Sequence, residues 1–130
     1  MSLWLGRGFK GYWPIDHDAP GNYDKEVFKR QLQDLLDRCP EIVCHNAMYD
    51  VGWMKQMGMD IKCKVWDTML MAPILDENRM RYSLNELAKD YLGEKKSEAL
   101  LYQAAKEWGV DAKNDMWRLP PMYVGPYAEQ

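Results

Sequence analysis

Short apolar strands alternate with amphipathic helices in the first half of this 130-residue chain, and this order limits the fold most strongly. Over Lys25–Arg38 the apolar residues recur on one helical face with charges opposite, and Pro40 stops the helix. The segment Glu41–Cys44, "EIVC", is short and β-branched, which predicts a small buried strand. Strands that alternate with helices in this way predict an α/β fold with at least one parallel strand pair.

The remaining elements follow from local signals. Residues 49–57 predict a helix closed by Gly58, and residues 62–68, "KCKVWDT", predict another strand. Residues 11–15, "GYWPI", predict an edge strand, since Pro14 has no N–H group to donate. Further signals are an N-cap at Asp24 and a helix over 69–75. A capping box at Ser83 opens a helix that ends at Gly93, and residues 97–108 predict a helix ended by Gly109. Residues 118–121, "RLPP", predict a break, and another helix is expected from residue 123 onward. Sheets usually have about four to six strands, so three predicted strands indicate an incomplete sheet.

Composition narrows the class of protein. A hydrophobic content of 47% predicts one domain over residues 1–130, and the absence of a long apolar run or a secretion signal predicts a cytoplasmic protein. Cys39, Cys44 and Cys63 are odd in number and lack C-x-x-C spacing, which favours buried thiols over disulfides or zinc ligands. The net charge of −3 argues against a basic face that grips long nucleic acid, but not against a nuclease that binds metal ions through carboxylates.

A polar cluster, "HNAMYD" (residues 45–50), follows the predicted strand Glu41–Cys44 directly. Ligand groups in open α/β sheets gather at the carboxyl ends of strands, and both Asp50 and Asp67 fall at such ends. We therefore expect that these two carboxylates can face one crevice. Asn46 and Asp50 are four residues apart and share a helix face if the helix begins near Asn46.

Purely structural roles remain open for the same residues. Asn46 and Asp50 can serve as a helix cap or dipole partner, and Asp67 with Thr68 can mark a helix N-terminus. His45 is more often part of a buried hydrogen bond than a metal ligand, because no second histidine lies at ligand spacing. The ten methionines and six tryptophans are expected to be core residues first.

Longer stretches carry a family resemblance. "HNAMYD" together with residues 52–75 and "YSLNELAKDYLG" (residues 82–93) resembles the proofreading 3′–5′ exonuclease domain of family A, polymerase I-like DNA polymerases, within the DEDD exonuclease superfamily. The spacing of Asn46 and Asp50 matches that family's second motif. "YWPIDHD" (residues 12–18) resembles its third strand, and "YAEQ" (residues 127–130) resembles the start of its third motif, Tyr-x-x-x-Asp. The first motif, Asp-x-Glu, is absent, so the chain is predicted to be a partial domain.

The resemblance implies a ribonuclease H-like fold with a mixed sheet flanked by helices and with its early strands missing. It also implies a site with two divalent ions, Mg²⁺ or Mn²⁺, in the complete domain, and no ions bound by this chain alone. In that site Asp50 ligates a metal, Tyr127 orients the attacking water, and Asn46 with Tyr49 contacts the frayed strand. Stacking of a base on an aromatic ring is independent of sequence, which suits a proofreading enzyme.

The function that the resemblance implies is removal of nucleotides from DNA 3′ ends, with this isolated chain expected to be inactive. The expected partners are a single-stranded DNA 3′ end, a polymerase domain in the same full-length chain, and a second copy through an exposed sheet edge. No membrane is expected as a partner. Two alternatives stay open: an RNase D-like exonuclease that trims RNA, and a non-catalytic nucleic-acid-binding domain of the same fold.

Overall fold

The computed structural model describes residues 1–6, 8–94 and 97–129, so Gln130 of the predicted third motif lies outside it. Its strands are β1 (Ser2–Trp4), β2 (Lys10–Tyr12), β3 (Glu41–Cys44) and β4 (Lys64–Asp67). Its helices are α1 (Lys25–Arg38), α2 (Ala47–Gln56), α3 (Thr68–Leu75), α4 (Leu84–Leu92), α5 (Ala99–Trp108) and α6 (Pro121–Ala128), with a short 3-10 helix at Met116–Arg118.

Helix α1 forms with the predicted bounds. The Asp24 side chain accepts a hydrogen bond from the Val27 backbone N–H at 2.8 Å, which confirms the predicted cap. Phe28, Leu32 and Leu36 recur at steps of four residues and are buried. The amphipathic pattern therefore determines how α1 packs, because burial of its apolar face removes these side chains from water.

Strands β3 and β4 form the predicted parallel pair. Their register places Ile42 beside Val65 and Cys44 beside Asp67, so both strands end at the same level. The strand predicted over 62–68 is shorter than expected, because helix α3 already begins at Thr68. Helix α2 likewise begins at Ala47, two residues before the predicted start. The starts of α2 and α3 therefore lie at the same edge of the parallel strand pair.

Strands β1 and β2 form a separate antiparallel pair. Strand β1 was not predicted, because three residues carry too little pattern to show a strand. The strand predicted over 11–15 lies at Lys10–Tyr12 instead; it ends before Pro14, which cannot donate a ladder hydrogen bond. The α/β class is confirmed, with the described strands arranged as two small sheets.

The chain divides into two compact units, residues 1–28 with 96–130 and residues 29–95. In the first unit, a core gathers around helices α5 and α6 and consists of Leu101, Ala104, Ala105, Ala112, Leu119 and Val124. Helix α6 begins at Pro121, inside a stretch predicted to be a break, because proline is well suited to a first helical position. The prediction of a single domain over residues 1–130 stays a prediction.

Helix ends follow the predicted glycines. Gly93 closes α4 with φ 69° and Gly109 closes α5 with φ 64°, a left-handed conformation that glycine adopts without steric cost. At the start of α4 the Ser83 hydroxyl accepts the Glu86 backbone N–H at 3.4 Å and donates to the Glu86 carboxylate at 3.0 Å, which confirms the cap. Among the helices of the described residues, none combines the length and apolar content needed to cross a bilayer.

Candidate functional site

The turn between β3 and α2 carries the residues that the sequence singles out. Asn46 has φ 68° and ψ 58°, and it is the one described residue other than glycine with a positive φ. Asparagine enters this left-handed region more readily than most residues, because its short polar side chain tolerates it. Asn46 occupies the N-cap position of α2, but its side chain makes no capping hydrogen bond. The Asn46 carboxamide therefore makes no capping hydrogen bond to α2.

Asp67, at the end of β4, caps two helices at once. One carboxylate oxygen accepts the Asn46 backbone N–H at 3.0 Å and the Met69 N–H at 2.9 Å, and the other accepts the Ala47 N–H at 2.8 Å. The pairing of Cys44 with Asp67 explains this, because it places the start of α2 beside the start of α3. Each N–H group would otherwise be an unsatisfied donor at a helix terminus.

Hydrogen bonding also governs the charge of Asp67. Burial acts to raise the pKa of its carboxyl, but the backbone N–H groups of Ala47, Asn46, Met69 and Leu70 outweigh burial and hold the pKa below its ordinary value. Asp67 is therefore an ionised structural cap. The Asp67 oxygens are used by the starts of the two helices, and that Asp67 and Asp50 face one crevice stays a prediction.

His45 belongs to a short hydrogen-bond chain. The Thr68 hydroxyl donates to the Cys44 carbonyl at 3.1 Å, and Thr68 Oγ1 lies 2.9 Å from His45 Nδ1. A hydroxyl has one proton, so His45 Nδ1 is the donor to Thr68 Oγ1 in this arrangement. The interpretation of His45 as a hydrogen-bonding residue is confirmed.

Asp50 lies in the first turn of α2 and is partly buried. Burial raises the pKa of its carboxyl, the negative charge of Asp67 raises it further, and His45 opposes the rise. A carboxylate held above its ordinary pKa costs folding free energy when it ionises. Such a group is a candidate functional residue, because a cation bound there would remove the cost.

Replacing Asp50 with asparagine is expected to raise the free energy of unfolding at neutral pH. A raised carboxyl pKa means that the folded state binds the proton more tightly, so ionisation above that pKa lowers stability. The increase in unfolding free energy from Asp50→Asn should reach its largest value above the raised pKa of the folded state. It should disappear as pH falls below the ordinary aspartate pKa of about 3.9. Thermal unfolding of both proteins across this pH range measures the effect.

Asp60→Asn is the matched control, because Asp60 is an exposed carboxylate that pairs with Lys62 at 2.9 Å. This control should show no gain at neutral pH. A variant of Asp50 that is no more stable than the unchanged chain at neutral pH would contradict the prediction.

Tyr49 stands beside Asp50 on the outer side of α2. Its ring is 64% exposed and meets the Trp53 ring edge-on, with centroids 6.3 Å apart. Trp53 is 49% exposed and was not selected from the sequence, where tryptophans were assigned to the core first. The spacing of four residues between two aromatic rings on one helix was the available signal. The pair forms an exposed aromatic surface directly next to Asp50.

Tyr127 lies on α6 in the other unit and packs partly buried against the core around Leu119. Burial raises the pKa of its hydroxyl; Glu98 and Tyr102 add to the rise, and Lys113 opposes it. Tyr127 is therefore protonated at neutral pH and can donate a hydrogen bond. That Tyr127 and Asp50 serve the same site stays a prediction.

A metal centre needs several oxygen ligands. Within residues 1–6, 8–94 and 97–129, no group of three histidine, cysteine, aspartate or glutamate residues could hold an ion. Asp50 supplies one carboxylate of the type that Mg²⁺ prefers, but Mg²⁺ gives up its water reluctantly and depends on several ligands. The described residues do not by themselves fit a two-ion site.

The chain is similar to known proteins. The sequence profile of the 3′–5′ exonuclease family matches residues 8–129. A DNA-directed DNA polymerase of Pseudomonas phage M6 is 32% identical over 133 residues, which cover 100% of this chain and 20% of that protein. The DNA polymerase DpoZ of Salmonella phage PMBT28 is 25% identical over 113 residues, 86% of this chain and 17% of the relative.

DNA polymerase I of Borreliella burgdorferi is 29% identical over 85 residues, 65% of this chain and 9% of that polymerase. The chain thus spans a fifth or less of the length of these curated relatives. Because the family profile covers nearly all of the sequence, from residue 8 to residue 129, this chain belongs to the 3′–5′ exonuclease domain family of polymerase I-like DNA polymerases.

Proposed function

We propose that this chain is part of an exonuclease that removes nucleotides from the 3′ end of DNA within a longer DNA polymerase. The observation that carries the proposal is Asp50: it lies in the first turn of the helix that follows strand β3, its carboxyl pKa is raised, and the exposed Tyr49 precedes it in a helix that begins after Asn46. Relatives named DNA polymerases support DNA as the substrate.

Asn46 and Tyr49 are proposed to hold the last nucleotides of the strand. The Asn46 carboxamide is not used as a cap and can both donate and accept hydrogen bonds. The Tyr49 and Trp53 rings offer an exposed surface on which a base can stack whatever its identity. A site that binds in this way accepts any mismatched end, which is what proofreading requires.

The proposal includes dependence on Mg²⁺ or Mn²⁺, with Asp50 as one ligand. Such an ion would supply electrophilic activation of the phosphodiester. The remaining ligands would have to come from outside the described residues, so we propose that this chain alone is inactive. Tyr127, protonated at neutral pH, is proposed to orient the attacking water as a hydrogen-bond donor.

Two other functions compete with this proposal. An RNase D-like enzyme would degrade RNA 3′ ends faster than DNA ends, and a binding domain would hold either strand without hydrolysis in the complete protein. A polymerase domain in the same protein, a cytoplasmic location and self-association through a sheet edge stay predictions.

Trp53→Ala and Tyr49→Ala are each expected to weaken binding of single-stranded DNA by roughly tenfold. Base stacking on an aromatic ring contributes about 1–3 kcal/mol per base, and about 1.4 kcal/mol corresponds to a factor of ten. Fluorescence anisotropy of an end-labelled oligonucleotide measures the affinity directly and does not require hydrolysis.

Trp108→Ala provides the matched control, because Trp108 is 52% exposed at the end of α5 and lies outside the proposed site. Its affinity should stay within about twofold of the unchanged chain. Equal losses in the Trp53 and Trp108 variants would show that the oligonucleotide contacts aromatic rings without regard to the site, and the proposal would then fail.

A further inference from the structure

Tyr12 and His17 belong to the stretch "YWPIDHD" (residues 12–18), to which the proposed site assigns no role. Both are partly buried, and both lie in the same compact unit as helix α6. His17 Nδ1 lies 2.8 Å from the backbone carbonyl oxygen of Leu119, and His17 Nε2 is hydrogen-bonded to the Tyr12 hydroxyl. Both ring nitrogens of His17 therefore have partners within the protein.

The partners of His17 determine where the protons lie. A carbonyl oxygen can only accept, so Nδ1 carries a proton and donates it to Leu119. Burial raises the pKa of the Tyr12 hydroxyl to about 12, so this hydroxyl is protonated at neutral pH. When His17 is neutral, Nε2 accepts the Tyr12 proton. Two hydrogen bonds thus run in one direction, from Tyr12 to the carbonyl that lies two residues before the start of α6.

Tyr12 also holds the far end of α6. Its backbone N–H donates to the Glu129 carboxylate at 3.0 Å, and Glu129 directly follows the last residue of the helix. Between the two ends, the Tyr12 ring passes the helix at Gly125, where a Cβ would lie 3.6 Å from Tyr12 Cδ1. Contacts from Tyr12 and His17 therefore reach the beginning, the middle and the end of α6.

Helix α6 has little stability of its own. It has eight residues, and isolated helices shorter than about 12–15 residues are marginal in water. Pro126 lies inside it and has no N–H to donate, and Gly125 has a low helix propensity. Val124 is buried in the core and holds one face of the helix. The placement of α6 therefore depends on contacts from outside the helix.

We propose that His17, together with Tyr12, is a positioning residue for Tyr127. Tyr127 lies two residues after Gly125 and two residues before Glu129, between two points that Tyr12 contacts. Fixing both ends of so short a helix fixes the direction of the Tyr127 hydroxyl. The inference rests on the proposed function, in which that hydroxyl orients the attacking water, and it assigns no contact with the substrate to His17 or Tyr12.

The Leu119 carbonyl shows why a polar side chain is needed at residue 17. Leu119 is 0% exposed, so water cannot replace His17 as the donor to its carbonyl oxygen. A buried acceptor that loses its donor costs free energy, and the segment that carries it moves to recover a partner. Because this segment leads directly into α6, such a movement would change the placement of Tyr127.

The first test measures the placement of Tyr127 without hydrolysis. Fluorotyrosine is incorporated at residue 127 of the 130-residue chain, and its fluorine NMR resonance is recorded with and without His17→Leu. Leucine keeps an apolar side chain but cannot donate to the Leu119 carbonyl, so we expect the resonance to move and to broaden. His17→Asn keeps an N–H near the position of Nδ1 and should restore most of the original signal.

Asp16→Asn is the matched control, because Asp16 is the exposed neighbour of His17 and pairs with Lys25 at 2.6 Å. This control should leave the resonance unchanged. If the thermal midpoint shows that His17→Leu does not fold, Tyr12→Phe gives the same comparison, because it removes one hydroxyl and keeps the ring. A resonance that moves no more than in the control, in a variant that is folded, would overturn the inference.

The second test measures what this placement does for hydrolysis of DNA 3′ ends. It uses a chimera in which this chain replaces the matching segment of the Pseudomonas phage M6 polymerase, to which it aligns over its whole length. His17→Leu should lower kcat about tenfold and leave KM within about twofold, since a small misplacement of a reacting group slows the chemical step. In a Tyr127→Phe background the same substitution should have almost no further effect, because the hydroxyl that it positions is already absent.

A general loss of structure has a different signature from lost positioning. It would lower kcat by the same factor in both backgrounds, and that result would overturn the inference. If Tyr127→Phe lowers kcat but His17→Leu does not, the proposed function stands and the inference fails. If Tyr127→Phe leaves kcat unchanged, the proposed role of Tyr127 fails, and the inference that rests on it fails too.

Discussion

Asp50→Asn is expected to slow hydrolysis of DNA 3′ ends by about a thousandfold or more once this chain is placed in a polymerase-length protein. A suitable protein is a chimera in which the chain replaces the matching segment of the Pseudomonas phage M6 polymerase, to which it aligns over its whole length. Asparagine keeps the size and one oxygen of Asp50 but removes the negative charge. Loss of one member of a site that acts as a unit removes most of the rate.

The 130-residue chain alone is expected to release no nucleotides, even in millimolar Mn²⁺. Its described residues offer no group of three metal-binding side chains, and Asp50 alone is a poor site for an ion that holds its water tightly. Gel analysis of a 5′-labelled oligonucleotide measures both reactions, with RNA in parallel to distinguish an RNase D-like preference.

Asp60→Asn in the same chimera serves as the control, because Asp60 is an exposed carboxylate in the same unit and should leave the rate within about twofold. If the chimera keeps its full rate of hydrolysis after Asp50→Asn, then Asp50 has no role in the reaction. Degradation by the isolated chain that disappears in Asp50→Ala would refute the inactivity prediction instead.

Asp67→Ala is expected to lower the free energy of unfolding by about 2–3 kcal/mol. Loss of a single N-cap costs about 0.5–2 kcal/mol, and one carboxylate here satisfies N–H groups at the starts of both α2 and α3. The thermal midpoint should fall by roughly 10 °C for a chain of this size. Chemical denaturation followed by circular dichroism measures the change.

The pH dependence of this effect has a fixed sign. The folded pKa of Asp67 lies below its ordinary value, so its contribution is present above the unfolded value of about 3.9 and is lost as pH falls through the folded pKa. The difference in unfolding free energy between the unchanged chain and Asp67→Ala should therefore become smaller in acid. Asp67→Asn keeps a capping oxygen, so its unfolding free energy should fall less than that of Asp67→Ala. An equal fall in both variants would show that capping is not the cause.

Local signals predicted the helices well. The apolar steps of α1, its Asp24 cap, the Ser83 cap of α4 and the glycine ends at Gly93 and Gly109 all concern residues within four positions of one another. Such interactions depend on helix geometry alone, which is why the sequence shows them. The start of α2 at Ala47 lies two residues before its predicted position and the start of α3 at Thr68 lies one residue before, because a partner strand and not a local signal decided each start.

Contacts between distant residues were not predictable in the same way. Strand β1 becomes visible only because Lys10–Tyr12 pairs with it, and Trp53 is recognised as a surface residue only once the buried side of α2 is known. The hydrogen bond from Arg79 to Asp90 likewise depends on how the loop before α4 folds back onto that helix.

The sequence by itself determined the α/β class, the parallel pair of β3 and β4, and the position of Asp50 just beyond a strand end, because hydrophobic periodicity and helix-ending residues act over a few positions along the chain. Only the tertiary structure decided that Asp67 is shared between two helices and that Asn46 takes a left-handed turn with its side chain unused. The reason is that strand register brings Cys44 beside Asp67, across 23 positions of chain, and no local pattern encodes which hydrogen-bond donors a carboxylate will then meet.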